Sequence, residues 1–263
     1  MKTLFSTILL LSLTTFAQAE IKTQEIKYSA GNANLKGFLA YDESVSAKRP
    51  GILVVHEWWG HNEYARSRAI KLAKLGYTAF AVDMYGEGKL AEHPSDASKF
   101  MQAAFKDFDA SSARFEKAKE ILQSHKTVDS SQIASIGYCF GGAVSLRMAQ
   151  RGSNLKGVVA FHGALPVEPN DSKGKITASI LVANGSKDSF LKPEAVATFT
   201  QAMYQANADF NYISFAGVAH SYTNPKADEI GKKFNIPNLK YNKEADDRSW
   251  QAMQRFFDRI FKN

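Results

Sequence analysis

The chain holds a single cysteine, Cys139, in the stretch IGYCFGGA from Ile136 to Ala143. A lone thiol cannot close an internal disulfide. A structural zinc site collects several Cys and His at short spacings, and Cys139 has no such neighbours. Two readings remain: a small buried hydrophobe or a nucleophile. Gly137-Tyr138-Cys139-Phe140-Gly141 is G-x-C-x-G between an apolar strand pattern and a helical one. That is the nucleophile-elbow motif G-x-S-x-G with sulfur in place of oxygen. The turn is sharp enough that side chains two residues before and after the nucleophile would collide with neighbouring backbone, so glycine fits at both places. The elbow lifts the sulfur above a sheet and sets it at a helix N-terminus, whose dipole favours a thiolate.

An ordinary thiol is only a few per cent ionised at neutral pH and needs a base. In elbow enzymes the partners follow in the order nucleophile, acid, histidine. Asp188, in NGSKDSF, and His220, in GVAHSY, follow Cys139 in that order. Each lies just past an apolar strand pattern. His220 would take the thiol proton and return it to the leaving group, and Asp188 would hold the imidazole. The bland alternatives are a turn aspartate and a surface histidine. Asp83 is a rival acid, but it precedes the cysteine. Glu57, in VVHEWWG, closely follows a buried strand pattern, beside two tryptophans and a glycine; the bland alternative is a solvated loop acid. The loop at this point of the fold supplies one oxyanion-hole N–H, and the residue after the nucleophile supplies the other. The donors expected here are the amides of Trp58 and Phe140.

These residues need a frame that gathers strand ends. TQEIKYS and LKGFLAYDE alternate about the turn AGNAN, which predicts an N-terminal hairpin. Ile52 to Val55, YTAFAVDM, QIASIG, KGVVAFHG, ASILVANG and FNYISFAG read as strands, mostly buried on both faces. Helical spacing follows Asn62 and ends at Leu75-Gly76. One long helix is expected from about Ser95 to Ser124, with Met101, Phe105, Phe108, Phe115 and Leu122 as its stripe. Gly141 to Gln150, a segment opening at Pro193, and about Glu244 to Phe261 complete the helices. Strand and helix alternate after an antiparallel start, which predicts an α/β protein with a mostly parallel sheet covered on both faces. Ligands of such sheets bind at the carboxyl ends of the strands. His56, Glu57, Asp83, Cys139, His162, Asp188 and His220 all fall at or near such ends.

The chain has 263 residues, 44% hydrophobic and 22% charged. That balance suits a globular core and shows no linker, repeat or low-complexity tract. Lys2, the apolar run from Leu4 to Phe16 and Ala17-Gln18-Ala19 form a secretory signal. The expected division is a signal peptide over residues 1–19, cleaved between Ala19 and Glu20, and one domain over residues 20–263. A periplasmic or secreted protein is expected, with no stable membrane insertion after cleavage. The run is short for a span of about 20 residues. The net charge is +7, but acids are interspersed with the basic residues and no basic stripe carries aromatics, so no nucleic-acid partner is expected. A monomer is expected.

HEWWG, DMYGEG, GYCFGG, SKD and AHSY, in this order and spacing, resemble the dienelactone hydrolase family of α/β-hydrolases. The likeness runs from about Lys27 to the C-terminal helix. It implies the α/β-hydrolase fold, a Cys139–His220–Asp188 triad, a small ester or lactone substrate and no cofactor or metal. It also implies that Glu57 engages the resting thiol and helps to generate the thiolate when substrate arrives. Family members hold a substrate carboxylate with two arginines, whose places are taken here by Glu87 and Asn224. These two, with Trp59 and Tyr85, are candidates for the substrate pocket, and the stretch from Asn224 to Lys243 is an extra loop near it. An acid at Glu87 would repel an anionic substrate. Thioesterase, carbohydrate esterase and amidase chemistry fit the same triad, and a non-catalytic binding protein on this fold is the reading from another class. His56, His61 and His162 are expected to be structural or to lie at the rim.

Overall fold

The structure, a computed structural model, describes residues 20–169 and 175–262. The signal segment over residues 1–19 lies outside the described residues. Strands β1 (Ile21–Ala30) and β2 (Ala33–Asp42) form the predicted hairpin, antiparallel from Ile21 opposite Asp42 to Ala30 opposite Ala33. Next come β3 (Arg49–Val55), α1 (Glu63–Ala73), β4 (Thr78–Val82), α2 (Pro94–Lys106), α3 (Phe108–Ser124), β5 (Val128–Tyr138) and α4 (Phe140–Gln150). The chain closes with β6 (Gly157–Phe161), β7 (Ser179–Gly185), α5 (Pro193–Gln205), β8 (Phe210–Phe215), α6 (Ala227–Lys233) and α7 (Lys243–Phe261).

The strands form one sheet in the order β1-β2-β4-β3-β5-β6-β7-β8. It is parallel from β4 through β8, and β2 meets β4 antiparallel. Alternation along β3 explains the two-sided burial. Leu53 and Val55 join the core under α3, α4 and α5, while Ile52 and Val54 join the core under α1 and α7. A strand buried on both faces must be apolar throughout, as β3 is. The amphipathic C-terminal helix places Trp250, Met253, Phe257 and Ile260 in the second core, as its spacing predicts.

Two expectations change. The single helix over 95–124 is two helices. Asp107 leaves helical geometry at φ −112° and ψ 75°, and its carboxylate accepts the Ala110 N–H at 3.0 Å. A short acidic side chain that can cap a new helix competes with continuing the old one. The Ser111 hydroxyl donates to the Ala104 carbonyl at 2.7 Å, serving an acceptor near the broken end. The apolar stripe crosses the break without a change of phase and so conceals it. The segment between Asn224 and Lys243 contains α6 and folds back on the loop that carries His220. His220 N–H donates to Asn238 O at 3.0 Å, and Lys240 N–H donates to His220 O at 3.1 Å.

The chain leaves β3 for β4 on one side and returns to β5 on the other. The carboxyl ends of β3 and β5 therefore flank the point where strand order reverses, the usual crevice of an open α/β sheet. Val55 opposite Gly137 marks it. His56-Glu57 and Cys139 emerge there side by side.

Candidate active site

Cys139 leaves β5 in a left-handed conformation, φ 54° and ψ −115°. A non-glycine residue there is strained, and the surroundings must hold it. Its N–H donates to Phe161 O at 3.0 Å, which ties the elbow to β6. The flanking glycines have the predicted cause. A Cβ on Gly137 would lie 2.0 Å from Gly141 O, and one on Gly141 would lie 2.3 Å from Val55 O. Only bare backbone lets α4 start this close to β3 and β5. Phe140 opens α4, so its amide is among the first-turn donors that no helical carbonyl reaches.

His220 stands beyond β8 with its Nδ1 2.6 Å from Asp188 Oδ2, both side chains buried. The other Asp188 oxygen accepts the Phe190 N–H at 2.9 Å, which fixes the carboxylate. Cys139 borders the same cavity as the imidazole and attracts its proton. Burial alone would strip the ring of its proton. Attraction to Cys139 and Asp188, with the hydrogen bond to Asp188, outweighs burial and pushes the His220 pKa up to about 10. Thus the three residues singled out from chain order converge on one cavity.

Glu57 is fully buried, but its carboxylate is taken up by other groups than the thiol that the resemblance implies. Ser221 Oγ donates to Oε1 at 2.9 Å and Asn224 Nδ2 donates to Oε2 at 2.8 Å. Burial raises its pKa, against the pull of those two donors and of His220. Asn224 is therefore a ligand of Glu57 and does not line the cavity over Cys139. The other three pocket candidates are also placed elsewhere. Glu87 is exposed on the turn after β4, where its N–H donates to Asn34 O at 2.7 Å. Trp59 turns away to stack on Phe234. Tyr85 packs beneath the site against His56 and Phe140, and its hydroxyl donates to Trp58 O at 3.1 Å. Side-chain direction, which no motif encodes, separates these four from the cavity.

The cavity over the sulfur measures about 260 Å³. Trp58 and Phe140, the expected oxyanion donors, border it together with Cys139, His220 and Asp188. Its remaining walls are largely apolar: Met101 and Phe105 of α2, Phe190 and Leu191 after β7, and Leu239 from the segment beyond α6. The sequence reading used Met101 and Phe105 only as a helix stripe and missed the other three. The stripe itself was the signal, since those two are half-buried while Phe108, Phe115 and Leu122 are fully packed.

His162, expected to be structural or to lie at the rim, also borders this cavity. It is fully buried at a positive φ of 39°, with its ring 5.0 Å from that of His220. Its Nε2 meets Thr223 Oγ1 at 2.8 Å. Burial and the neighbouring charge of His220 push its pKa well down, so it is a neutral wall beside a charged ring. His56 is a structural ring: Nδ1 meets Glu57 O at 2.6 Å and Nε2 accepts the Met84 N–H at 3.3 Å. Asp83, the rival acid, is occupied in shaping its own loop, accepting the N–H groups of Lys36, Tyr85, Gly86 and Gly88. Among the described residues no cluster of His, Cys, Asp and Glu is arranged to hold a metal ion.

Residues 35–261 match the model of the dienelactone hydrolase family. The chain belongs to the dienelactone hydrolase family. It is 25% identical over 244 residues, 91% of this chain and 99% of the relative, to a protein of Aquifex aeolicus provisionally named a carboxymethylenebutenolidase. It superposes on a dienelactone hydrolase-like promiscuous phosphotriesterase from metagenomic libraries with a TM-score of 0.87 at 32% identity, covering 92% of this chain and 99% of that one. An α/β-hydrolase enzyme from a Medee basin deep-sea metagenome shares the fold at 15% identity, with a TM-score of 0.68 over 92% of this chain and 99% of that one. The dienelactone hydrolase family, an α/β-hydrolase fold and a hydrolase are thus common to sequence and structure.

Proposed function

We propose that this family member hydrolyses carboxylic esters or lactones through a Cys139–His220–Asp188 triad. The observation that carries the reading is His220, hydrogen-bonded to Asp188 and bordering one cavity with a sulfur held in a strained elbow. The Cys139 thiolate attacks the acyl carbon, and a C–S bond forms. The carbonyl oxygen becomes an oxyanion facing the amides of Trp58 and Phe140. As the C–O bond breaks, His220 gives its proton to the leaving alkoxide. The same imidazole then takes a proton from water, which attacks the thioester and frees the acid and the thiolate.

Glu57 lies behind this pair with its charge coupled to His220. Its part is to balance the imidazolium from the buried side, with Ser221 and Asn224 holding it in place. The substrate is a small molecule. Among the described residues no helix is long and apolar enough to cross a membrane. The apolar run from Leu4 to Phe16 and Ala17-Gln18-Ala19 support export and a mature chain that begins at Glu20 and works outside the cytoplasm; a monomer is proposed with it.

The test is turnover of p-nitrophenyl acetate by residues 20–263. Cys139→Ala and His220→Ala should each lose about a thousandfold or more in kcat/KM. A short pulse of substrate should leave an acyl mass on the Cys139 peptide. Full activity in either variant would remove the triad assignment. Secretion is read separately, from the N-terminal residue of the exported protein, and the monomer from its mass in solution.

A further inference from the structure

The hollow above Cys139 does not end at its own walls. A second one of about 340 Å³ adjoins it, and the two share Phe105, Ala143, Ala164, Phe190 and Leu191. The outer hollow continues along Leu165 and Pro166 to Ala195 at the start of α5. Small side chains stand at the junction. Ala143 lies in the first turn of α4, and Ala164 lies in the loop after β6 with its side exposed. A larger group at either would narrow the passage, and the aromatic rings of Phe105 and Phe190 flank it.

The charges along this path are already matched. Arg147, the one cation among the described residues bordering the outer hollow, has its guanidinium on the Glu168 carboxylate and stacked 3.6 Å from the Phe108 ring centroid. Arg151 binds the same carboxylate at 2.8 Å and Asp109 at 2.6 Å. A ligand that ended in a carboxylate would have to break one of these pairs, and an uncharged chain would not. The walls reward apolar surface, at about 0.8 kcal/mol per methylene buried.

We propose that the two hollows form one trough for the acyl chain of an uncharged ester. In that arrangement the carbonyl sits at Cys139, and the chain runs between Phe105 and Phe190, past Ala164, toward Ala195. This rests on the thiol-hydrolase reading above and adds the substrate class to it. Ala164 then sets how long a chain the site accepts.

The experiment measures kcat/KM of the mature protein for the p-nitrophenyl acetate, butyrate, hexanoate and octanoate series. The p-nitrophenyl monoester of adipic acid serves as the charged counterpart of the hexanoate. The expected result is a rise of roughly three- to fourfold per methylene along the neutral series. The adipate monoester should fall about tenfold or more below the hexanoate. Ala164→Trp should lower the octanoate-to-acetate ratio by about tenfold or more, and Ala195→Trp should lower it only for the longest chains. Thermal melts establish that both variants are folded. A flat or falling series in the unaltered protein, an adipate monoester equal to the hexanoate, or an unaltered ratio in Ala164→Trp would each overturn the trough. Those results leave the triad standing, because acetate is still hydrolysed. No turnover of any ester overturns the thiol-hydrolase reading and the trough with it.

Discussion

Asn224 Nδ2 lies 2.8 Å from Glu57 Oε2, buried and outside the lining of the cavity over Cys139. The position whose counterpart in the family meets substrate here holds a carboxylate in place. Ser221 does the same for the other oxygen at 2.9 Å. Removing the carboxylate leaves two buried donors without acceptors, at about 1–3 kcal/mol each. Glu57→Ala should therefore lower unfolding stability by about 2 kcal/mol or more, while Glu57→Gln, which keeps one acceptor oxygen, should lose less. Urea denaturation of the two variants checks this. Equal stability would mean that the carboxylate is not held as described.

The pKa of His220, raised from 6.5 to about 10, carries a pH signature. A raised folded-state pKa contributes stability that is complete below about pH 6.5 and is lost as the pH climbs through about 10. Nitrogen NMR of the imidazole should show an imidazolium at neutral pH that titrates only near that upper value. Cys139→Ala removes an attracting partner, so the same ring should titrate at lower pH. An identical titration in both proteins would show that sulfur and imidazole are not coupled.

The elbow was legible because its cause is local. Gly137 and Gly141 are two residues from Cys139, and their need for bare backbone can be argued from the turn alone. Asp188 and His220 were legible from chain order, since each follows a strand that ends on one side of the sheet. The pocket was not. Glu87 and Asn224 stand at set distances from the motifs, but Asn224 turns its side chain to Glu57, and Glu87 sits exposed on a turn whose backbone is tied to Asn34. Phe190, Leu191 and Leu239 reach the sulfur from loops whose course depends on what they pack against. The Asp107 break was hidden because the apolar stripe of α2 and α3 stays in phase through it. Periodicity reports which face is buried, and it is silent on whether the backbone is continuous.

Gly141 offers a test of the elbow that does not depend on activity. A Cβ there would meet Val55 O at 2.3 Å and His56 O at 2.7 Å, both backbone atoms that cannot swing aside. Gly141→Ala must therefore push α4 away from β3. The expected loss is about 3 kcal/mol or more, the upper range for overpacking, and calorimetry reads it. Gly76→Ala is the comparison. No atom lies within 4 Å of a Cβ there, and the penalty is only that of a left-handed alanine at φ 91°. A smaller loss at position 141 than at 76 would contradict the packing of the elbow.

The support behind the site is a buried ion pair. Arg68 reaches Asp246 at 3.1 Å, donates to the Thr223 carbonyl, and lies over the rings of Tyr64, Tyr138 and Trp250. Thr223 in turn meets Tyr64 and His162 through its hydroxyl, so the pair braces the wall beside His220. Taking away one partner leaves the other charge buried and unmatched, which typically destabilises by about 3–5 kcal/mol. Arg68→Met and Asp246→Leu should each show a loss of that size in urea denaturation. The double variant should recover part of it, because an apolar pair leaves no isolated charge. The coupling between the two substitutions is thus expected to be large and of the sign that makes the double variant more stable than the sum of the singles. Additive losses would mean that Arg68 is held by the aromatic rings and the Thr223 carbonyl, with Asp246 contributing little.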